Sequence, residues 1–190
     1  LLKIKNINET LNRNLPEEEV YRNLSWKLKR LEFSNMFSYG GDNVVNFTKL
    51  NGIVGMFAPN ANGKSALLDA LSFALFDTCS RAFKAENILN NKKNDFYCKV
   101  IFEIDGQEYT VERTAKKQRK GNVKVDVDFY TYDDLGEKVS MNGDQRRTTD
   151  INIKKVIGSY DDFILTSLSS QNNNSVFIEK TQKEKKMLLA

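Results

Sequence analysis

Histidine is absent from this chain of 190 residues, and cysteine occurs only twice. Without histidine there is no Ser/His or Cys/His nucleophile pair and no histidine-bound zinc. Any chemistry must run on Lys, Ser, Gln, carboxylates or a bound ion. Cys79 and Cys98 have neither metal-ligand spacing nor a secretory context, so both are expected to be reduced and structural. No secretory signal is legible and no apolar run is long enough to span a bilayer, so a cytoplasmic chain with no membrane partner is expected. The formal net charge of +4 is mild; it allows an acidic partner such as DNA without demanding one. A chain of this length makes one domain, or one lobe of a larger one. It opens on Leu1 and not on methionine, so a piece of something longer is expected.

What is present is concentrated in Ala58-Pro59-Asn60-Ala61-Asn62-Gly63-Lys64-Ser65. This is the phosphate-binding pattern G-x-x-x-x-G-K-[ST] with its first glycine replaced. Lys64 supplies the ammonium that must reach the β- and γ-phosphates of a nucleotide. Ser65 supplies the hydroxyl that must ligate a bridging Mg²⁺. Gly63 lets backbone N–H groups turn inward, toward the positive end of a following helix. Asn60, Ala61, Asn62, Gly63, Lys64, Ser65 and Ala66 are therefore the expected cofactor-binding residues, with ATP and Mg²⁺ as the cofactors. A bare Gly-Lys-Ser turn ending in a serine N-cap is the bland alternative.

The context argues against that alternative. Ile53-Val54-Gly55-Met56-Phe57 is a short apolar run of the kind a buried strand shows. Residues 64–76 are apolar on nearly every face and predict a buried helix. Elsewhere, residues 28–33 and 43–47 predict strands joined by a turn at 40–43. Residues 97–104 and 108–113 predict a hairpin about Asp105-Gly106. Alternation of Val123, Val125, Val127 and Phe129 with polar residues predicts a half-exposed strand. Thr148 or Thr149 is expected to cap a helix that closes at Gly158. Residues 1–27, thin in apolar content, read as a leader or the tail of a preceding segment. Residues 28–178 make the main lobe, and 179–190 begin a long helix.

These residues resemble the N-terminal ATPase lobe of the SMC-like DNA-repair ATPases, most closely the SbcC type and its phage recombination counterparts. Four stretches carry the resemblance. Leu31-Glu32-Phe33-Ser34-Asn35 with Val44-Val45-Asn46-Phe47 is similar to the family's opening strand pair. The loop with its Leu67-Leu68-Asp69-Ala70-Leu71 continuation is similar to the loop and first helix. Phe102-Glu103-Ile104-Asp105-Gly106-Gln107-Glu108-Tyr109-Thr110-Val111-Glu112-Arg113 is similar to the antiparallel hairpin. Ser170-Gln171, then Phe177-Ile178 and a Lys/Glu-rich stretch, is similar to the Q-loop and coiled-coil entry.

The resemblance implies an α/β P-loop fold of the ABC/SMC head type, here the N-terminal half of the head, its mixed sheet carrying an antiparallel portion. It implies an ATPase in which Lys64 and Gln171 are catalytic and Ser65 and Gln171 hold Mg²⁺. On its own, Gln171 among serines and asparagines would read as a solvated loop residue. Gln171 follows Lys64 by roughly a hundred positions, far more than in membrane-transporter ATPases. The implied partners are a second ATPase head in a homodimer, double-stranded DNA, and a metallophosphoesterase-type nuclease that ATP turnover gates. A phage-encoded copy would work in the host cytosol. Ala58 and Ala61 stand where the family usually has glycines, and Ala66 replaces a second hydroxyl. The stretch 35–39 lacks the arginine that the family frequently aims at the nucleotide. The family's acidic Walker B strand, signature motif and switch histidine follow the coiled coil, so these residues alone should bind nucleotide weakly and not turn it over.

Two other functions fit the same residues: a RecF-like, RecN-like or chromosome-condensation ATPase, and a non-catalytic nucleic-acid-binding module with a degenerate loop. The most basic run, Lys116-Lys117-Gln118-Arg119-Lys120-Gly121-Asn122-Val123-Lys124, is read as a solvated connection between strands in preference to a DNA-backbone contact. No aromatic residues interleave its cations, which argues against a stacking platform for single strands. Asp69 is expected to be a surface or helix-end charge.

Overall fold

The computed structural model describes residues 26–60, 62–82, 84–167 and 181–182. Six strands make one antiparallel sheet: β1 (Trp26–Ser34), β2 (Asn43–Asn46), β3 (Asp95–Ile104), β4 (Gln107–Lys117), β5 (Val123–Tyr132) and β6 (Lys138–Ser140). Their order is β2-β1-β3-β4-β5-β6. Helix α1 (Lys64–Phe76) crosses from β2 to β3 and lies against β3 and β4. Helix α2 (Arg146–Ile157) packs on β5 and on α1. This is the expected α/β fold, and the sheet formed by the described residues is antiparallel throughout.

The sheet has one apolar face because its strands alternate in register. On β3, Phe96, Cys98, Val100, Phe102 and Ile104 are buried, while Tyr97, Lys99, Ile101 and Glu103 turn the other way. Cross-strand pairing continues the same face: Leu31 opposite Val100, Val100 opposite Val111, Val111 opposite Phe129. A file of rings lines it, Trp26 edge-on to Phe102 and Phe102 stacked on Tyr109, with centroids 5.9 and 5.7 Å apart. Helix α1 covers this face, with Phe73 edge-on to Phe96 at 5.5 Å. Leu71, Phe73, Leu75 and Phe76 are all buried, so the helix read as apolar all round is indeed an inside helix. Gly106, at φ +85, and Asp105, at φ +50, close the β3–β4 hairpin in the left-handed conformation that Asp-Gly favours.

Three expectations are corrected. Residues 53–57 form no strand: Ile53 and Phe57 are fully exposed, at 105% and 95%, and the segment joins no ladder. A continuous apolar run is stable as a strand only with a pairing neighbour and cover on both faces, and the described residues supply neither. Thr148 and Thr149 do not precede a helix but lie inside α2. Their hydroxyls instead accept from the backbone amides just before the helix, of Gln145 (2.9 Å) and Gly143 (3.0 Å) respectively. Asp69 is buried, at 5% exposure, because Ser80 Oγ (2.8 Å) and Arg81 both donate to its carboxylate.

Residues 158–167 belong to a second compact unit. Its helix α3 (Tyr160–Thr166) opens on a capping box: Ser159 Oγ accepts from the Asp162 amide, and the Asp162 carboxylate accepts from the Ser159 amide. Gly158 stands at φ +85 just after α2, where the helix was expected to end.

Candidate functional site

Helix α1 begins at Lys64 with Gly63 as its N-cap, at φ +84 and ψ +10. A glycine caps without a side chain, and no side-chain hydrogen bond closes this end. The first-turn amides of a helix lack intrahelical partners and carry the positive end of its dipole. An open end of this kind favours an anion.

The Lys64 side chain folds back over the loop that precedes it. Its ammonium donates to the carbonyl oxygens of Ala58 (2.6 Å) and Pro59 (3.0 Å). These bonds draw 58–59 and the helix start into a closed ring, with the Asn62 amide donating to Pro59 O at 3.4 Å across it. Ser65 is exposed on the first turn, and the Ala66 methyl is buried, leaving only its backbone to meet a ligand. Asn60, Asn62, Gly63, Lys64, Ser65 and Ala66 thus share one corner of the fold. Ala61 and Gln171 lie outside the described residues, as do 179–180 and 183–190 of the expected coiled-coil entry.

The donor set suits a polyphosphate: an open helix terminus, an ammonium on a flexible stem and a free hydroxyl. No group of three or more His, Cys, Asp or Glu that could hold a metal ion occurs among the described residues. A divalent cation at Ser65 would thus draw most of its oxygens from phosphate and water, the habit of Mg²⁺ in phosphoryl-transfer sites.

A second segment, not part of the motif, forms one wall. The β1–β2 connection brings Tyr39 against the loop, and its hydroxyl donates to the Gly63 carbonyl at 3.1 Å. A Cβ built on Gly63 would stand 3.0 Å from Ser38 Oγ and 3.0 Å from the Tyr39 ring. The sequence offered a signal here that a search for a cation overlooks, an aromatic residue in the turn where the family's arginine is frequent. Asn90 Nδ2 in turn donates to the Tyr39 carbonyl at 3.1 Å.

At its far end α1 meets a buried charge cluster that sequence reading also missed. Arg113 has no exposed side-chain surface, and it sits where alternation with Val111 and Ala115 would place an apolar residue. It ion-pairs with Asp150 (2.8 Å) and with Asp77 (3.7 Å), and Arg146 pairs with Asp77 as well.

The basic run 116–124 is part strand. Lys116 and Lys117 extend β4 and pair with Lys124 and Val123 of β5, and only the intervening residues turn. Lys92 and Lys93 precede β3 at that same end of the sheet, since Asp95 pairs with Lys116. All of these lysines are exposed.

An α/β fold with a loop–lysine–serine start to a buried helix is the architecture of a P-loop ATPase head. The family model described as an AAA domain matches residues 30–189. The chain belongs to that family, and it is similar to SbcC-type proteins. It is 42% identical over 171 residues to an uncharacterized protein of Acanthamoeba polyphaga mimivirus, covering 86% of the chain and 13% of that protein. It is 27% identical to the SbcC component of the SbcCD nuclease of Clostridium acetobutylicum, covering 84% of the chain and 14% of that protein. A solved SMC ATPase chain shares the fold with a TM-score of 0.56 at 19% identity, covering 85% of this chain and 96% of the other. The chain therefore spans about one seventh of the curated relatives it matches. No helix among the described residues is long and apolar enough to cross a membrane.

Proposed function

We propose that this chain is the ATP-binding N-terminal lobe of an SbcC-like ATPase, with residues 58–66 holding the triphosphate. The observation that carries the reading is the Lys64 ammonium, poised on the Ala58 and Pro59 carbonyls beside the uncapped start of α1. A phosphate entering the loop exchanges one of those carbonyls for a charged oxygen, a stronger partner for an ammonium. The first-turn amides then meet an anion, and Ser65 offers its hydroxyl to Mg²⁺. Bound Mg²⁺ would supply the charge that neutralises the phosphates. Lys64 holds and orients them, and the loop backbone keeps water from their inner face. Gln171 is proposed as the residue that senses the γ-phosphate.

In the complete protein, ATP would join two heads around double-stranded DNA, and hydrolysis would release them and gate a metallophosphoesterase-type nuclease. Residues 28–178 would make the lobe and 179–190 the coiled-coil entry; of residues 1–27, expected as a leader or the tail of a preceding segment, Trp26 and Lys27 instead open β1 of the sheet. Two features support the larger assembly. The exposed run 53–57 has the composition of a central strand and is left bare by the described residues, as befits a lobe completed by later sequence. Exposed Lys92, Lys93, Lys116, Lys117, Arg119 and Lys120 cluster at one sheet end, a footprint suited to phosphate backbones. The lobe alone is expected to bind ATP weakly and not to hydrolyse it.

The test is titration of the full-length protein with a fluorescent ATP analogue, with and without Mg²⁺. Lys64→Ala should abolish binding while leaving the far-UV spectrum and melting temperature in place. Normal binding and hydrolysis in that variant would refute the loop assignment. Absence of binding in the unaltered protein would favour a non-catalytic module.

A further inference from the structure

The β1–β2 connection is built more tightly than a surface turn needs. Asn35 and Phe37 both take left-handed backbone, at φ +56 and +52, and Asp42 follows at +54. For an aromatic residue this is an outlier, and strained backbone persists only where surroundings over-determine it, most often at ligand clamps. The neighbouring segment does so here. The Phe37 amide donates to Ile88 O (2.6 Å), the Asn90 amide to Asn35 O (2.9 Å), and the Tyr39 amide to Met36 O (2.9 Å). Met36 is fully buried and bridges to Leu89. Phe33 meets the Tyr39 ring edge-on at 4.9 Å. Tyr39 is thus fixed by the sheet and by residues 88–90, independently of the phosphate loop.

We propose that Tyr39 is a positioning residue for the phosphate loop, fixing the direction of the Lys64 amide through the Gly63 carbonyl; this rests on the loop reading above. The Gly63 carbonyl and the Lys64 N–H belong to one planar trans peptide, so they point in opposite directions. The carbonyl faces down the helix, where the Leu67 amide donates to it at 3.2 Å. The Tyr39 hydroxyl donates to the same oxygen from the side, at 3.1 Å. With the carbonyl held by two donors, the peptide plane cannot swivel, and the Lys64 N–H stays aimed out of the helix end toward an incoming phosphate. The ring beneath Gly63 enforces the same geometry sterically. It would have to give way slightly to admit a Cβ, which a left-handed φ of +84 already disfavours. Tyr39 acts on the β-phosphate end of the ligand through the loop, not on the base.

The experiment is nucleotide titration and steady-state ATPase kinetics on the full-length protein carrying Tyr39→Phe. That variant keeps the ring and its packing and removes only the hydroxyl. Losing one neutral hydrogen bond predicts about a fivefold weaker affinity. ATP and ADP should weaken equally, with the ATP-to-GTP preference and the melting temperature unchanged. KM for ATP should rise by the same factor while kcat at saturation holds. Asn90→Ala, which frees the Tyr39 carbonyl, should weaken binding in the same direction by a smaller factor. Wild-type affinity in Tyr39→Phe, with Lys64→Ala abolishing binding beside it, overturns the inference and leaves the loop reading standing. A changed ATP-to-GTP preference also overturns it, by making Tyr39 a contact to the base. If Lys64→Ala itself binds normally, the loop reading is what fails.

Discussion

Arg113, wholly buried on β4, donates from Nε to the Ala74 carbonyl at 2.9 Å and from Nη2 to the Leu75 carbonyl at 3.3 Å. It thereby satisfies two of the last-turn acceptors of α1, where the helix dipole is negative. The helix that starts at the phosphate loop is consequently clamped at its opposite end. Asp77, the left-handed C-cap of α1, and Asp150 on α2 supply the countercharge.

Removing that guanidinium should be costly. Arg113→Met leaves Asp77 and Asp150 in part unpaired beside the bare carbonyls. Breaking a buried ion pair from one side loses about 3–5 kcal/mol. Urea denaturation should register a loss of that order. Arg113→Lys should recover little of it, since a single ammonium cannot span two carbonyls and two carboxylates.

Gly63→Ala tests the capping geometry. The new Cβ meets Ser38 Oγ and the Tyr39 ring at 3.0 Å, and the residue must hold φ +84. Left-handed strain of about 1–2 kcal/mol is relieved only by moving the loop. Calorimetry should show a small drop in melting temperature, with a loss of ATP affinity of tenfold or more.

Burial pushes the Cys98 thiol up to about 12, and burial also raises Cys79. A group whose folded pKa is raised stabilises fully below its unfolded pKa, about 8.5 for a thiol. That contribution is lost as pH climbs from there toward the folded value. Stability should therefore decline from about pH 9 toward about pH 12, and Cys98→Val should flatten the decline. At about pH 8, below the ordinary thiol pKa, both thiols should resist a labelling reagent until the chain unfolds, which a labelling time course reads directly.

The bare apolar run gives a prediction that differs between contexts. In the 190-residue chain Phe57→Ser should change stability by less than about 0.5 kcal/mol, the usual range for an exposed site. In the full-length protein the same change should lower stability by more than about 1 kcal/mol if later sequence covers residues 53–57. Paired melting curves separate the two, and equal, small effects in both would contradict the proposed completion of the lobe.

The sequence displayed most of the fold because its signals were local. Asp105-Gly106 marks a hairpin by backbone conformation alone, and the alternation on β5 and the apolar helix 64–76 need no distant partner to be recognised. The failures were of another kind. Residues 53–57 have strand composition, but pairing depends on a neighbour that composition does not reveal. Arg113 and Asp69 are charges in the interior, tolerable only because partners many residues away converge on them. Tyr39 belongs to the same class: its part in the site depends on Gly63, which lies beyond an intervening strand and loop. Thr148 and Thr149 carry the chemistry of an N-cap but lie inside the helix and accept from the Gln145 and Gly143 amides that precede it.

The proposed function requires that the backbone between 58 and 66 grip a triphosphate. Amide resonances of the full-length protein, recorded with and without ATP and Mg²⁺, probe that grip at single residues. Large shifts and slowed hydrogen exchange are predicted at Gly63, Lys64 and Ser65, absent in Lys64→Ala. Saturation with ATP that leaves those three amides unmoved, while others far from α1 respond, would contradict it.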